Sequence, residues 1–236
     1  MDLKGKKINC LGDSITEGYG TTHIENTYWN RLAASTGATV RGYGIGGTRI
    51  ARQHAPSENP LYDRWFCSRV SEMDPDADVI VVFGGTNDFG TGDAPLGPED
   101  SRDEYTFYGG LNILCDHLKE TFPTAKIVFM TPLHRCGEDN LRNKWGIRNV
   151  CPLSGYVKII KKVCRKNDFS VIDCYSLSVL DPNKGDCKER YIPDGLHPND
   201  EGHTVLSKFV LKKLKAIPKH SNPNQILEQK FSAVLR

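Results

Sequence analysis

Between Asp78 and Gly84 the chain reads Val-Ile-Val-Val-Phe, five apolar residues in a row with no polar position among them. A strand with one wet face alternates in polarity. A strand that does not alternate must be covered on both faces, which points to a parallel sheet with helices above and below. Four more strand-type runs lie at residues 6–11, 38–43, 126–130 and 170–174. Helix-like stretches separate them at 27–36, 61–70, 105–121 and 154–166, and a last one covers 200–215. Gly37 stops the first of these, and Leu111, Leu114 and Leu118 recur at helical spacing in the third. The Gly- and Pro-rich stretch 90–100 and the stretch 132–149 read as loops. The pattern predicts one α/β domain with five strands.

Composition removes several function classes. Lys and Arg number 31 against 29 Asp and Glu, a formal net charge of +2. A dedicated nucleic-acid binder is strongly basic. No apolar run reaches the roughly 18 residues of a membrane span. The N-terminus, Met1-Asp2-Leu3-Lys4-Gly5-Lys6-Lys7, leads straight into a strand without the about 7–15 apolar residues of a signal peptide. The expectation is a cytoplasmic protein, or a secreted one where a leader has been removed. None of the eight cysteines forms Cys-x-x-Cys, and no histidines stand beside them at zinc spacing. Reduced, mostly buried thiols and no metal site are expected, with disulfides open to a secreted protein. After Pro218, Leu227, Phe231, Val234 and Leu235 fall on one stripe of a short helix. The expected division is a domain over 1–216 and a tail over 217–236. The tail docks on its own domain or makes a homo-oligomer or partner contact.

Four polar features stand just past strand ends: Ser14, Gly47, Asn87, and the pair Asp194 and His197. Parallel strands end on one edge of the sheet, so these distant positions gather in the crevice where open α/β sheets bind ligands. A serine hydroxyl needs a base to become a nucleophile, and His197 has the right ordinary pKa for that work. Asp194, three residues earlier, can orient the imidazole and stabilise it once charged. The N–H groups of Ser14 and Gly47 and the amide of Asn87 can stabilise an oxyanion. Alone, each block has an ordinary role. Gly12-Asp13-Ser14 can be a plain turn, Asp-x-x-His a helix cap with a surface histidine, and Gly44-Ile45-Gly46-Gly47 a phosphate loop. No Gly-Lys-Ser/Thr follows that last run, and it does not match Gly-x-Gly-x-x-Gly.

Together the blocks resemble the GDSL family of serine hydrolases, also called the SGNH superfamily. Gly12-Asp13-Ser14-Ile15 matches the first block, with Ile where the family has Leu. Ile45-Gly46-Gly47 matches the glycine block, although Gly42 stands where an Asn is frequent, and Gly44 is a second choice of donor. Gly84-Gly85-Thr86-Asn87-Asp88 and Asp194-Gly195-Leu196-His197-Pro198 match the remaining two. The resemblance spans about 6–216. It implies a three-layer α/β/α fold with a flavodoxin-like parallel sheet and esterase activity without a cofactor. It also implies Ser14 as nucleophile, with Ser14, Gly47 and Asn87 as the oxyanion hole.

Substrate choice is expected from the strand-end loops 89–103 and 132–149. The candidate contacts are Asp13, Phe89, His134, Arg135 and Trp145, with Arg142 nearby. Aromatic, Arg and His side chains around a polar crevice suit a sugar, and they equally suit loops closing on their own domain. The resemblance favours removal of short acyl groups, acetyl above all, from carbohydrate. The alternatives are a lysophospholipase or acyl-thioesterase, which needs a long apolar groove, and a non-catalytic binding module on the same fold.

Overall fold

The structure, a computed structural model, describes residues 1–141 and 151–218. Five strands, β1 (Lys7–Gly12), β2 (Thr39–Gly44), β3 (Val79–Phe83), β4 (Lys126–Met130) and β5 (Ser170–Ile172), form an all-parallel sheet in the order β2-β1-β3-β4-β5. The order reverses between β1 and β3, which opens a crevice beyond their C-terminal ends. The helices are α1 (Ser14–Glu17), α2 (Tyr28–Thr36), α3 (Thr86–Gly90), α4 (Phe107–Thr121), α5 (Leu153–Lys166), α6 (Cys187–Tyr191) and α7 (Asp200–Ala216).

The apolar run of β3 works as the pattern requires. Val79, Val81 and Phe83 point into a core shared with Tyr28 and Leu32 of α2 and Leu206, Val210 and Leu214 of α7. Ile80 and Val82 point the other way, into a core with Leu111, Leu114 and Leu118 of α4 and Tyr156, Ile160 and Val163 of α5. Each side chain of this size, fully buried, contributes roughly 1.5–3 kcal/mol, so the two-sided strand anchors both layers. Local chemistry sets the helix ends. Thr106 Oγ1 accepts from Gly109 N–H at the start of α4, and Asn199 Oδ1 accepts from Gly202 N–H at the start of α7. Gly37, at φ +71°, ends α2.

Three segments differ from the sequence reading. Residues 61–70 do not form one helix but two 3₁₀ segments, Pro60–Asp63 and Phe66–Glu72. The ladder breaks because Phe66 N–H donates to the Arg49 carbonyl and the Arg64 carbonyl is taken by Arg69 Nε. The fifth strand stops at Ile172, short of Cys174. Asp173 turns aside to Thr131 Oγ1 and Lys161, and Cys174–Ser176 continues as a 3₁₀ turn. Between Cys174 and Asp194, where the sequence shows no strand or helix pattern, the chain forms α6, which has too few residues to show a helical period.

All eight cysteines are free, and six are buried. Among the described residues no helix is long and apolar enough to cross a membrane. The expected tail helix over 217–236 lies almost entirely outside the described residues.

Candidate active site

β1 delivers the chain to Asp13, whose carboxylate caps α1 by accepting from Ile15 N–H at 3.1 Å. Ser14 is therefore the first residue of a helix, where backbone N–H groups have no partner within the helix. The residue is 7% exposed, and its Oγ lies 2.9 Å from His197 Nε2. The other ring nitrogen, Nδ1, lies 2.6 Å from Asp194 Oδ2. Asp194 Oδ1 accepts from the N–H groups of Leu196 and His197 at 2.9 and 2.7 Å. Burial pushes the Asp194 carboxyl up, but the hydrogen bonds from His197 backbone and ring and from Leu196 outweigh it. The group sits below its ordinary pKa and is ionised at neutral pH. A hydroxyl, an imidazole and an anchored carboxylate thus form one unbroken line.

The remaining two blocks meet beside it. Gly47 lies in the left-handed region at φ +73°. A Cβ there would come within 2.6 Å of the Tyr62 ring, so only glycine fits both the backbone and the neighbour. Asn87, buried in α3, gives one amide hydrogen to the Thr48 carbonyl at 3.0 Å. That bond ties α3 to the glycine turn and leaves the second amide hydrogen for another acceptor.

Several residues with no role read from the sequence hold this edge together. Glu17 Oε2 accepts from Gly46 N–H at 2.9 Å. Asp88 accepts from Ile50 and Ala51 N–H at 3.0 and 2.8 Å, and burial lifts its pKa to about 6. Arg69, 2% exposed, lies beneath the crevice and donates to the carbonyls of Tyr43 and Gly12 and to Thr48 Oγ1. It ties the ends of β1 and β2 to the glycine turn. An arginine set among Phe66, Cys67 and Val70 is the one sequence signal that could have marked it.

The candidate substrate contacts separate. Asp13 is buried as a helix cap. Phe89 is 3% exposed and packs edge-on against Tyr156, within the core. His134 Nδ1 lies 2.9 Å from Glu138 Oε1, and its ring stacks at 3.9 Å on Tyr175, which also donates to Glu138. Arg135 donates to the carbonyl and hydroxyl of Thr86, and its guanidinium stands 5.7 Å from the Phe89 ring. His134 and Arg135 therefore bind the loop to its own domain. Arg142 and Trp145 lie outside the described residues. Two side chains not singled out from sequence stand exposed at the crevice: Tyr19, 4.4 Å from the His197 ring, and Tyr62, over Gly47. Among the described residues no group of three or more His, Cys, Asp or Glu could hold a metal.

The parallel five-stranded sheet between helical layers, with its polar side chains collected at one edge, is the SGNH hydrolase fold. The chain belongs to the GDSL-like lipase/acylhydrolase family, whose model matches residues 10–205, a family of ester-bond hydrolases. A multidomain esterase of Ruminococcus flavefaciens is 30% identical over 151 residues, covering 63% of this chain and 17% of that one. An acetylxylan esterase of Xylanibacter ruminicola is 22% identical over 222 residues, covering 89% of this chain and 43% of that one. This chain thus spans less than half the length of either relative. A solved structure of a Lactobacillus plantarum protein superposes with a TM-score of 0.77 at 29% identity, covering 92% of this chain and 99% of the other.

Proposed function

We propose that this chain is a serine esterase that removes short acyl groups, acetyl foremost, from carbohydrate. The observation that carries the catalytic part is the unbroken line from Ser14 Oγ through His197 to Asp194, at 2.9 and 2.6 Å. In this reading His197 Nε2 takes the Ser14 proton as Oγ attacks the ester carbonyl. Asp194 stabilises the imidazolium and fixes its tautomer. The tetrahedral oxyanion is met by the N–H groups of Ser14 and Gly47 and by the free amide hydrogen of Asn87. His197 then hands its proton to the departing alcohol, which leaves an acyl group on Ser14. Water, activated by the same imidazole, releases the acid and restores the hydroxyl.

The substrate part rests on similarity to an acetylxylan esterase and a multidomain esterase, carried to this chain as a proposal. The test is hydrolysis of p-nitrophenyl esters from acetate to octanoate and of acetylated xylan, with Ser14→Ala as control. Turnover that falls steeply beyond butyrate, with acetate released from xylan and both abolished in Ser14→Ala, supports the reading. A maximum at octanoate replaces the sugar ester with a lipid or thioester. Activity retained by Ser14→Ala overturns the mechanism.

A further inference from the structure

We propose that Tyr19 and Tyr62 are the two walls of a seat for a sugar ring, with Tyr19 stacking on the ring that carries the ester. The inference rests on the esterase reading and adds the part of the site that recognises the alcohol.

Tyr19, at 62%, is the most exposed of the large apolar side chains among the described residues, and Tyr62 is 41% exposed. Both rings nevertheless stand against the candidate catalytic groups. The Tyr19 ring centre is 4.4 Å from that of His197, with the planes at 55°. Tyr62 covers Gly47 so closely that its ring begins 2.6 Å from where a Cβ would stand. Ser14 adjoins a neighbour of each. It hydrogen-bonds His197, and a Cβ on Gly46 would be 3.7 Å from the Ser14 Cβ.

The backbone holds Tyr19 in place. Its N–H donates to the Ser14 carbonyl at 2.9 Å, and the glycines on either side take φ +103° and +94°. At Gly20 a side chain would strike the Pro198 carbonyl at 2.6 Å, so the turn is pressed against the histidine loop. The ring is thus fixed beside His197 with much of its surface in water.

The direction of the reaction assigns the side. His197 must return its proton to the leaving oxygen, so the alcohol departs past His197 and meets Tyr19 first. A pyranose presents apolar C–H faces and a hydroxyl rim, which suits an aromatic face bordered by polar groups. Such groups are close by. Arg49 Nη1 reaches the Tyr62 carbonyl at 3.5 Å. Arg49 also lines a polar cavity of about 220 Å³ with Gln53, Ser57, Thr91 and Asp93, whose side chains hydrogen-bond with one another and with nearby backbone.

The test compares kcat/KM for an acetylated xylose and for ethyl acetate, whose alcohol has no ring, in the parent, Tyr19→Ala, Tyr19→Phe and Tyr62→Ala. The expected result is a fall in the sugar-to-ethyl ratio of about three- to tenfold in both Ala variants, the scale of one aromatic contact. Tyr19→Phe should keep the parent ratio. An unchanged ratio, with both substrates losing equally, overturns the proposal, because Tyr19 would then act only by holding His197. A parent that turns over ethyl acetate through Ser14 but never the sugar ester overturns the carbohydrate reading itself.

Discussion

Asp13→Asn separates the charge of the nucleophile turn from its shape. Asp13 is 2% exposed, and its carboxyl accepts a single backbone bond, from Ile15. Burial lifts its pKa from 3.8 to about 7, helped by Asp88 and opposed by the Ile15 bond, Arg69 and Arg135. The unfolded chain ionises this group near the ordinary value. Between about pH 4 and 7 the folded chain therefore binds a proton that the unfolded chain does not, and stability falls as pH rises through that window. Above pH 7 the cost is fully present, at most about 4 kcal/mol for a group moved from 3.8 to about 7. Asn caps a helix as well as Asp and carries no charge. Its extra amide hydrogens have to be placed in a buried site, which returns about 1–3 kcal/mol of that gain. The net expectation is a variant more stable than the parent by about 1–3 kcal/mol at pH 8, with the advantage shrinking as pH falls toward 5. Urea midpoints of both proteins at pH 5, 6, 7 and 8 measure it. Asp88, with a pKa near 6, contributes its own slope to both proteins, and only its coupling to the Asp13 charge is left in the difference. A difference between parent and variant that does not change from pH 5 to 8 would refute the argument that burial sets the charge state of Asp13.

Three further outcomes follow from the same edge of the sheet. Asn87→Ala should lower kcat by on the order of 10²–10³ with little change in KM, because its free amide hydrogen bonds most strongly in the transition state; steady-state kinetics showing a KM effect alone would remove Asn87 from the oxyanion hole. Asp194→Ala should cut kcat by on the order of 10³–10⁴ while the fold survives, since the carboxylate is half exposed and its partners are His197 and one turn of loop; far-UV circular dichroism and kinetics together check this. Arg69→Met should destabilise by about 3 kcal/mol or more, because the carbonyls of Gly12, Tyr43 and Arg64 lose a donor in a buried site; an unchanged urea midpoint would show that water replaces the guanidinium.

The strands and the meeting of Ser14, Gly47, Asn87 and His197 at one edge are legible because they rest on short-range rules. A run such as 127–130 is apolar throughout and bounded by turns, and with Lys126 it forms β4 over Lys126–Met130. Once the sheet is parallel, residues past the strand ends must converge whatever their separation in sequence. The parts that are not legible depend on partners far along the chain. Residues 61–70 carry a helical pattern, yet the carbonyl of Arg49 takes the N–H that a continuous helix would need. His134 and Arg135 sit in a strand-end loop, where side chains commonly face the crevice. The Thr86 carbonyl, 49 residues away, holds Arg135 inward, and Glu138 with Tyr175 holds His134.

Tyr19 shows the opposite case. It lies between two glycines in a turn, so no helical or strand period marks it. Its value to the site appears only when the turn is seen pressed against Pro198, 178 residues later, as the Gly20 contact requires. The same geometry explains why the candidate catalytic residues stand out in the sequence and the proposed sugar wall does not. A nucleophile, a base and oxyanion donors are limited to a few residue types at the ends of strands. An aromatic wall is defined by what it faces, and here it faces a histidine supplied by the other end of the chain.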